Sequence, residues 1–344
     1  MKRKVFVGFS GGVDSAVSAY LLKKRYDVTA VMFRNLSNPE CYIPLEENAQ
    51  KVAEYIDVPF KVVDLSKEFN NLIIKPFIDS YEKGFTPNPC VQCNIQFKFD
   101  RFENWCFENG ADFIATGHYC RTKNGHLYKG KDVKKDQSYF LSGISSQILE
   151  KTLFPIGNLT KEKVRKMAKR SNLPNKSKGD SQEVCFIDSS LEDYLNKKIK
   201  PEEGDLIDID SGEIVGKHKG IHSLTLGQRK GINIGGSNKP YFVAKKDIDK
   251  NIIYVAKGKL NPYLWKRSFE LEDINIINSN NKYLNRGLSA KVRYGSTEIP
   301  CNINWEHNIV KLKDKVWTPS IGQQLVIYKG NECIGGGMIK NIGQ

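Results

Sequence analysis

Two sets of residues in this chain have types and spacing suited to chemistry. The first is Ser10-Gly11-Gly12-Val13-Asp14-Ser15, which follows a short apolar run at 4–9 and leads directly into a helical pattern. Paired glycines let the backbone approach an anion, and the first N–H groups of the next helix point at it. Ser10 and Ser15 add hydroxyl donors. No Gly-Lys-Ser/Thr follows, so transfer of a γ-phosphate is not the expected chemistry. Asp14 beside a polyphosphate would repel it unless a cation sat between them, which points to Mg²⁺. A tight turn with a serine cap would satisfy the same bare pattern. The second set is among the eight cysteines, of which Cys90 and Cys93 form the single C-x-x-C pair. Without a second such pair, a four-cysteine zinc site is not expected.

These residues need elements to position them. Short apolar runs at 4–9, 28–33, 60–64 and 113–115 alternate with helical periodicity at about 15–24, 45–55, 69–81 and 95–108. Strand–helix alternation predicts βαβ units and a parallel sheet. A basic helix is expected at 160–171, with Thr160 as N-cap and Pro174 beyond its end. After about residue 200, turn signals such as Asp210-Ser211-Gly212 and Lys329-Gly330-Asn331 separate runs at 252–256, 290–294 and 324–328. These read as antiparallel hairpins. The expected class is α/β with a parallel-sheet N-terminal domain, a small β-rich central domain and a C-terminal antiparallel β-barrel. The expected boundaries are 1–199, 200–260 and 261–344.

Composition narrows the partners. The chain has 344 residues, 40% hydrophobic and 27% charged, enough for several cores. No apolar run approaches the roughly 18 to 20 residues needed to span a bilayer. The basic N-terminus carries too short an apolar stretch for a signal peptide. A cytoplasmic chain with reduced thiols is therefore expected, in which any disulfide is transient and catalytic. The net charge of +14 is unevenly spread: residues 121–178 carry 15 basic and 4 acidic groups, whereas 1–120 carry 14 and 15. A concentrated basic block suits a polyanion, most naturally nucleic acid, although a solvated lysine-rich face gives the same count.

Taken as a full string, SGGVDS resembles the loop of the PP-loop ATP pyrophosphatases, which cleave ATP between the α and β phosphates and adenylate a substrate. TPNPCVQCN (86–94), ATGHY (115–119), KDQSYFL (135–141), DSQEVCFI (180–187), LGQRKG (226–231), KVRYG (291–295) and GQQLVIY (322–328) follow in order. Together they resemble the MnmA family of tRNA-specific 2-thiouridylases over nearly the whole chain.

The resemblance implies ATP-dependent adenylation of the O2 of a wobble uridine, then sulfur transfer from a cysteine persulfide to give 2-thiouridine. By position in the matched motifs, Cys185 is the persulfide carrier and Cys93 the nucleophile, the two forming a transient disulfide. ATP falls to Gly8, Phe9, Ser10, Gly11, Gly12, Val13, Asp14, Ser15, Phe33 and Gly117. The target base falls to Asn88, Pro89 and Cys90. Contacts to the tRNA anticodon stem-loop fall to His118, Lys135, Asp136, Gln137, Arg293, Tyr294 and Gln323. The implied sulfur donor is a sulfur-relay protein or a cysteine desulfurase. Cys93 is expected at a helix start, where the dipole would lower its pKa. Cys41, Cys106, Cys120, Cys301 and Cys333 read as buried fillers.

The chain departs from the family pattern at two places. Some relatives carry Asp at the position of Cys90, and Asn35 is followed by Leu36 rather than Trp. Cys90, Cys93 and Cys185 could instead hold an iron–sulfur cluster with one open iron. Two rival functions remain: another PP-loop ligase, and an RNA-binding protein without turnover.

Overall fold

The computed structural model describes residues 2–179, 184–232, 234, 235, 238–278 and 286–343. The N-terminal half alternates strand and helix as its pattern requires: β1 (Lys4–Gly8), α1 (Val13–Leu22), β2 (Asp27–Arg34), α2 (Pro39–Ile56), β3 (Phe60–Asp64) and β4 (Phe113–Ala115). A hairpin follows, β5 (Cys120–Lys123) and β6 (His126–Lys129), then the two-residue strand β7 (Thr152–Leu153). The sheet runs β3-β2-β1-β4-β7 with every pairing parallel. The carboxyl ends of β1, β2 and β4 therefore share one edge, the edge at which open α/β sheets bind ligands.

Both faces of the sheet are covered. Val5 and Val7 face α1 and α2 through Ala16, Val17, Ala49, Val52 and Ala53. Phe6 points to the opposite face, toward Phe99, Phe102 and Cys106. α2 starts six residues before the pattern at 45–55 and carries Pro44 inside it. Its real start is set by Asn38, whose side chain accepts from the Glu40 N–H, and by Pro39 at the first helical position. The helix expected at 95–108 begins at Pro89, capped by Asn88, and passes through a π-helical stretch, Cys93–Arg101, with a kink at Phe99.

The central segment forms β8 (Gly204–Asp208), β9 (Ile214–His218), β10 (Tyr241–Asp247) and β11 (Ile252–Lys257), in the order β10-β11-β8-β9. β8 and β11 pair parallel rather than as a hairpin. The final segment forms β12 (Trp265–Ile276), β13 (Leu288–Lys291), β14 (Ile299–Asn304), β15 (Ile309–Trp317), β16 (Gln324–Lys329) and β17 (Glu332–Gly343). These antiparallel strands run β12-β15-β14-β13-β16-β17, and a β12–β17 pairing closes the ring. The hairpin β5–β6 hangs on β17, with Glu332 opposite Tyr128 and Cys333 opposite Leu127. It belongs by sequence to the first segment and by pairing to the barrel. Among the described residues no helix is long and apolar enough to cross a membrane.

Candidate nucleotide and thiol site

The phosphate loop leaves β1 at Gly8 and enters α1 at Val13. Gly11 turns the chain at φ +64°, and a Cβ there would lie 2.9 Å from Asn48 Nδ2 and 3.0 Å from Ala49 Cα. Its carbonyl is held by Asn48 Nδ2 at 3.3 Å and Asn175 Nδ2 at 3.0 Å. Gly12 occupies the N-cap of α1 and no side chain caps the helix. The first-turn N–H groups are thereby left to an external acceptor. The hydroxyls of Ser10 and Ser15 stand 3.4 Å apart beside the loop, and Ser15 Oγ donates to the Gly12 carbonyl at 3.1 Å. Gly117, after β4, closes on the loop so tightly that a Cβ would meet Ser15 N at 3.0 Å. An uncapped helix start beside a cradle that a side chain would fill suits a phosphate chain.

Asp14 is not a bare charge. Lys161 Nζ grips both its oxygens at 2.8 and 2.9 Å, and Tyr119 Oη donates to Oδ1 at 2.8 Å. The cation inferred from Asp14 is thus already present as an ammonium. Magnesium is commonly held by one or two carboxylates together with substrate phosphates, and Asp14 fits that role as well. Lys161 follows the N-cap Thr160, which accepts from Lys163 N–H at 3.3 Å as the sequence pattern expects.

The thiols lie at the same edge of the sheet. Phe33, at the end of β2, packs on Phe102 at 4.1 Å and Phe97 at 5.9 Å between ring centres, setting the helix that carries Cys93 against the strand end. Asn35 Nδ2 lies 3.6 Å from Cys185 Sγ, joining the loop after β2 to the second thiol. Cys90 and Cys185 are exposed and Cys93 is half-buried. Crowding by protein raises the pKa of Cys185 to about 12, the neighbouring Cys93 adds to the rise, and Lys98 opposes it. Burial also raises Cys93, against Lys98. The lowered pKa expected for Cys93 is therefore corrected. Cys93 stands a full turn inside a helix that starts at Pro89, beyond the dipole's reach, so desolvation dominates. Asp180, Ser181, Gln182 and Glu183, the first half of the DSQEVCFI motif, lie outside the described residues.

Among the described residues, no group of three or more His, Cys, Asp or Glu side chains is arranged to hold a metal ion. Cys90, Cys93 and Cys185 are all described, and the first two stand close enough to Cys185 to raise its pKa.

The residues expected to meet tRNA fall in three places. Tyr294 packs on Phe140 with ring centres 4.4 Å apart, which brings 293–294 of the barrel beside 135–137. Within this patch Asp136 is buried, accepting from Gly130 and Ser138 N–H at 2.9 and 3.1 Å. Gln137 Oε1 accepts from Tyr119 N–H at 2.9 Å. Arg293 and Tyr294 are exposed and Lys135 is half-buried. Elsewhere, Gln323 Nε2 donates to the carbonyls of Thr86 and Pro87 at 2.6 and 3.4 Å, and Thr86 N–H reaches Ile321 O at 3.0 Å. The barrel thereby fixes the loop before Asn88. His118 is buried, bonded to Thr116 Oγ1 at 2.8 Å, and burial holds its pKa well below the usual value. A cavity of about 210 Å³ opens between these parts, lined by Asn88, Pro89, Gln92 and Gln96 on one side and by Gly322 and Gln324 of the barrel on the other.

Lys161, Tyr119, Asn35, Asn48 and Asn175 were not legible as site residues. Each reaches its partner through the fold, and none lies in a pattern that names that partner.

A parallel sheet with an uncapped glycine loop at its carboxyl edge, joined to two β units, defines a HUP-domain protein with appended barrels. Residues 3–189 match the tRNA methyl transferase HUP domain, 192–257 the tRNA methyl transferase PRC-barrel domain, and 266–339 the aminomethyltransferase beta-barrel domain. The chain is 42% identical to a tRNA-specific 2-thiouridylase MnmA of Mycoplasmopsis synoviae, covering 99% of this chain and 96% of that protein. It is 39% identical to the protein of the same name from Nitrosomonas europaea, covering 98% of each. The chain belongs to the MnmA family of tRNA-specific 2-thiouridylases.

Proposed function

We propose that this protein replaces the C2 oxygen of the tRNA wobble uridine by sulfur, using ATP. A uracil oxygen is a very poor leaving group, so activation comes first. O2 of the uridine attacks the α-phosphorus of ATP held over α1, pyrophosphate leaves, and O2 carries AMP. Lys161, already at the loop, meets the negative charge of the departing pyrophosphate. A loop-bound Mg²⁺ on Asp14 would add to that neutralisation when present.

Sulfur follows. A donor protein, either a sulfur-relay protein or a cysteine desulfurase, loads Cys185 as a persulfide. The Cys93 thiolate attacks Cys185 Sγ, the S–S bond of the persulfide breaks, and hydrosulfide leaves. Hydrosulfide adds to C2, AMP departs with O2, and loss of the sulfur-bound proton leaves C2=S. The Cys93–Cys185 disulfide returns to thiols through an external dithiol.

The observation that carries this reading is that one sheet edge gathers the uncapped phosphate loop and, through Asn35, the Cys185 thiol. A flipped base has to enter between them. The cavity beside Asn88 and Pro89 supports that entry, and Lys135, Arg293 and Tyr294 support a grip on phosphates and a stacked base. Pyrophosphate release that requires tRNA tests the first half. Release without tRNA, or driven by ammonia or an amino acid, would favour another ligase.

A further inference from the structure

We propose that Lys98 is the charge-stabilising partner of the thiol cluster, holding the negative charge of the thiolate that forms on Cys93 and of the hydrosulfide released from Cys185. The chemistry rests on the reading above; the placement of the lysine does not.

Lys98 lies five residues after Cys93. In a regular α-helix that separation turns a side chain about 140° away. The stretch Cys93–Arg101 is π-helical, however, and i→i+5 bonding brings residues five apart to successive positions on one side. The site occupied by this uncommon geometry is the one at which a cation has to share a face with a thiol.

Four elements converge on the same charge. Lys98 acts on Cys90 in the first helical turn, on Cys93 in its own turn, on Cys185 in the loop near 184–190 and on His118 after β4. It opposes the rise in the pKa of each thiol. His118 is itself buried and neutral, so it supplies no second cation. Lys98 is half-buried between the buried Phe97 and Phe99. It has no hydrogen bond or ion pair among the described residues, and adjacent Asp100 lies 3.7 Å from Arg101 instead. Lysines are seldom drawn inward without a partner. Here the missing partner is an anion that exists only during turnover.

The step balances. Cys93 gives its proton to solvent, its electron pair forms the bond to Cys185 Sγ, and the pair of the broken S–S bond leaves on hydrosulfide. One negative charge moves from Cys93 to the released sulfur, within the field of one ammonium throughout.

The test is peptide-resolved alkylation by iodoacetamide across pH on the full-length chain, without ATP or tRNA. Lys98→Gln should shift the Cys93 and Cys185 profiles to higher pH and cut their thiolate fractions about tenfold, equivalent to about one pKa unit. Lys98→Arg should restore most of the loss. Cys301, on the barrel, should be unmoved. Buried Cys106, Cys120 and Cys333 report unfolding; if they open in Lys98→Gln, Lys98→Met and Lys98→Arg decide by the same comparison. With ATP and tRNA, pyrophosphate release should persist while 2-thiouridine formation falls about tenfold. A Cys93 profile that overlays the wild type in a folded neutral variant overturns the proposal. Wild-type protein that forms no 2-thiouridine, with the alkylation shift intact, would overturn the assigned reaction and leave the Lys98–thiol coupling standing.

Discussion

Replacing Lys161 by methionine removes the ammonium that holds Asp14 and keeps a stem of similar length in the half-buried channel. The two N–O distances of 2.8 and 2.9 Å, and side-chain exposures of 13% for Lys161 and 31% for Asp14, place the pair between surface and interior. Charge-assisted bonds contribute about 1.5 to 3 kcal/mol each when buried, and partial exposure discounts this. Removal also turns Asp14 into an uncompensated anion facing ATP phosphates. Near 4 to 5 Å and at an effective dielectric of 20, that repulsion is about 3 to 4 kcal/mol before screening. A loss of about 2 to 4 kcal/mol in transition-state stabilisation corresponds to roughly 30- to 1,000-fold in kcat/KM for ATP. The assay is tRNA-dependent pyrophosphate release over a range of ATP concentrations, with tRNA binding measured separately. Lys161→Arg should recover part of the loss, and tRNA affinity should stay within about threefold. Pyrophosphate release by Lys161→Met within about threefold of wild type would refute the role given to the pair.

Further outcomes follow from the same geometry. Reversing the charges of Lys134, Lys163 and Lys166 should weaken tRNA binding and lower the slope of log affinity against log salt by roughly 0.7 to 0.9 for each phosphate no longer neutralised; an unchanged slope would make the basic block a solvated face. Cys90→Ser should keep 2-thiouridine formation within about threefold, because Cys90 borders the base and carries no sulfur in this scheme; complete loss would contradict that. Lys246 is half-buried with Nζ donating to Gly84 O at 2.9 Å, and desolvation lowers its pKa to about 7. Between about 7 and 10 the unfolded chain then binds more protons than the folded one, so this residue's contribution to stability falls as pH drops from about 10 to 7 and levels off below 7. Lys246→Met should flatten the difference in unfolding free energy between pH 6.5 and 9.5 by about 3 kcal/mol, measured by urea denaturation.

The sheet and the phosphate loop were legible because their signals are local. Alternating apolar runs place β1, β2, β3 and β4 within a residue or so at most ends. Gly11 and Gly12 announce the turn, and Thr160 the basic helix. The start of α2 was missed because the apolar stripe begins after Pro44, whereas the Asn38 cap and Pro39 decide the boundary. The parallel β8–β11 pairing and the addition of β5–β6 to the barrel were not legible, since register between distant strands is fixed by packing. The same holds within the site. Tyr119 and Lys161 reach Asp14 from 105 and 147 residues away, and Asn35 reaches Cys185 across 150. Helix position alone misjudged the Cys93 pKa, because burial cannot be read from it.

The central claim is that one site first activates a tRNA uridine with ATP and then delivers sulfur through Cys185 and Cys93. It is tested most directly by mass spectrometry of tRNA nucleosides after incubation with ATP and a persulfide donor, with pyrophosphate measured in the same reactions. Wild type should give 2-thiouridine and pyrophosphate. Cys185→Ser and Cys93→Ser should each give pyrophosphate but no 2-thiouridine, with Cys93→Ser still accepting a persulfide on Cys185. Robust thiolation by Cys185→Ser would contradict the account.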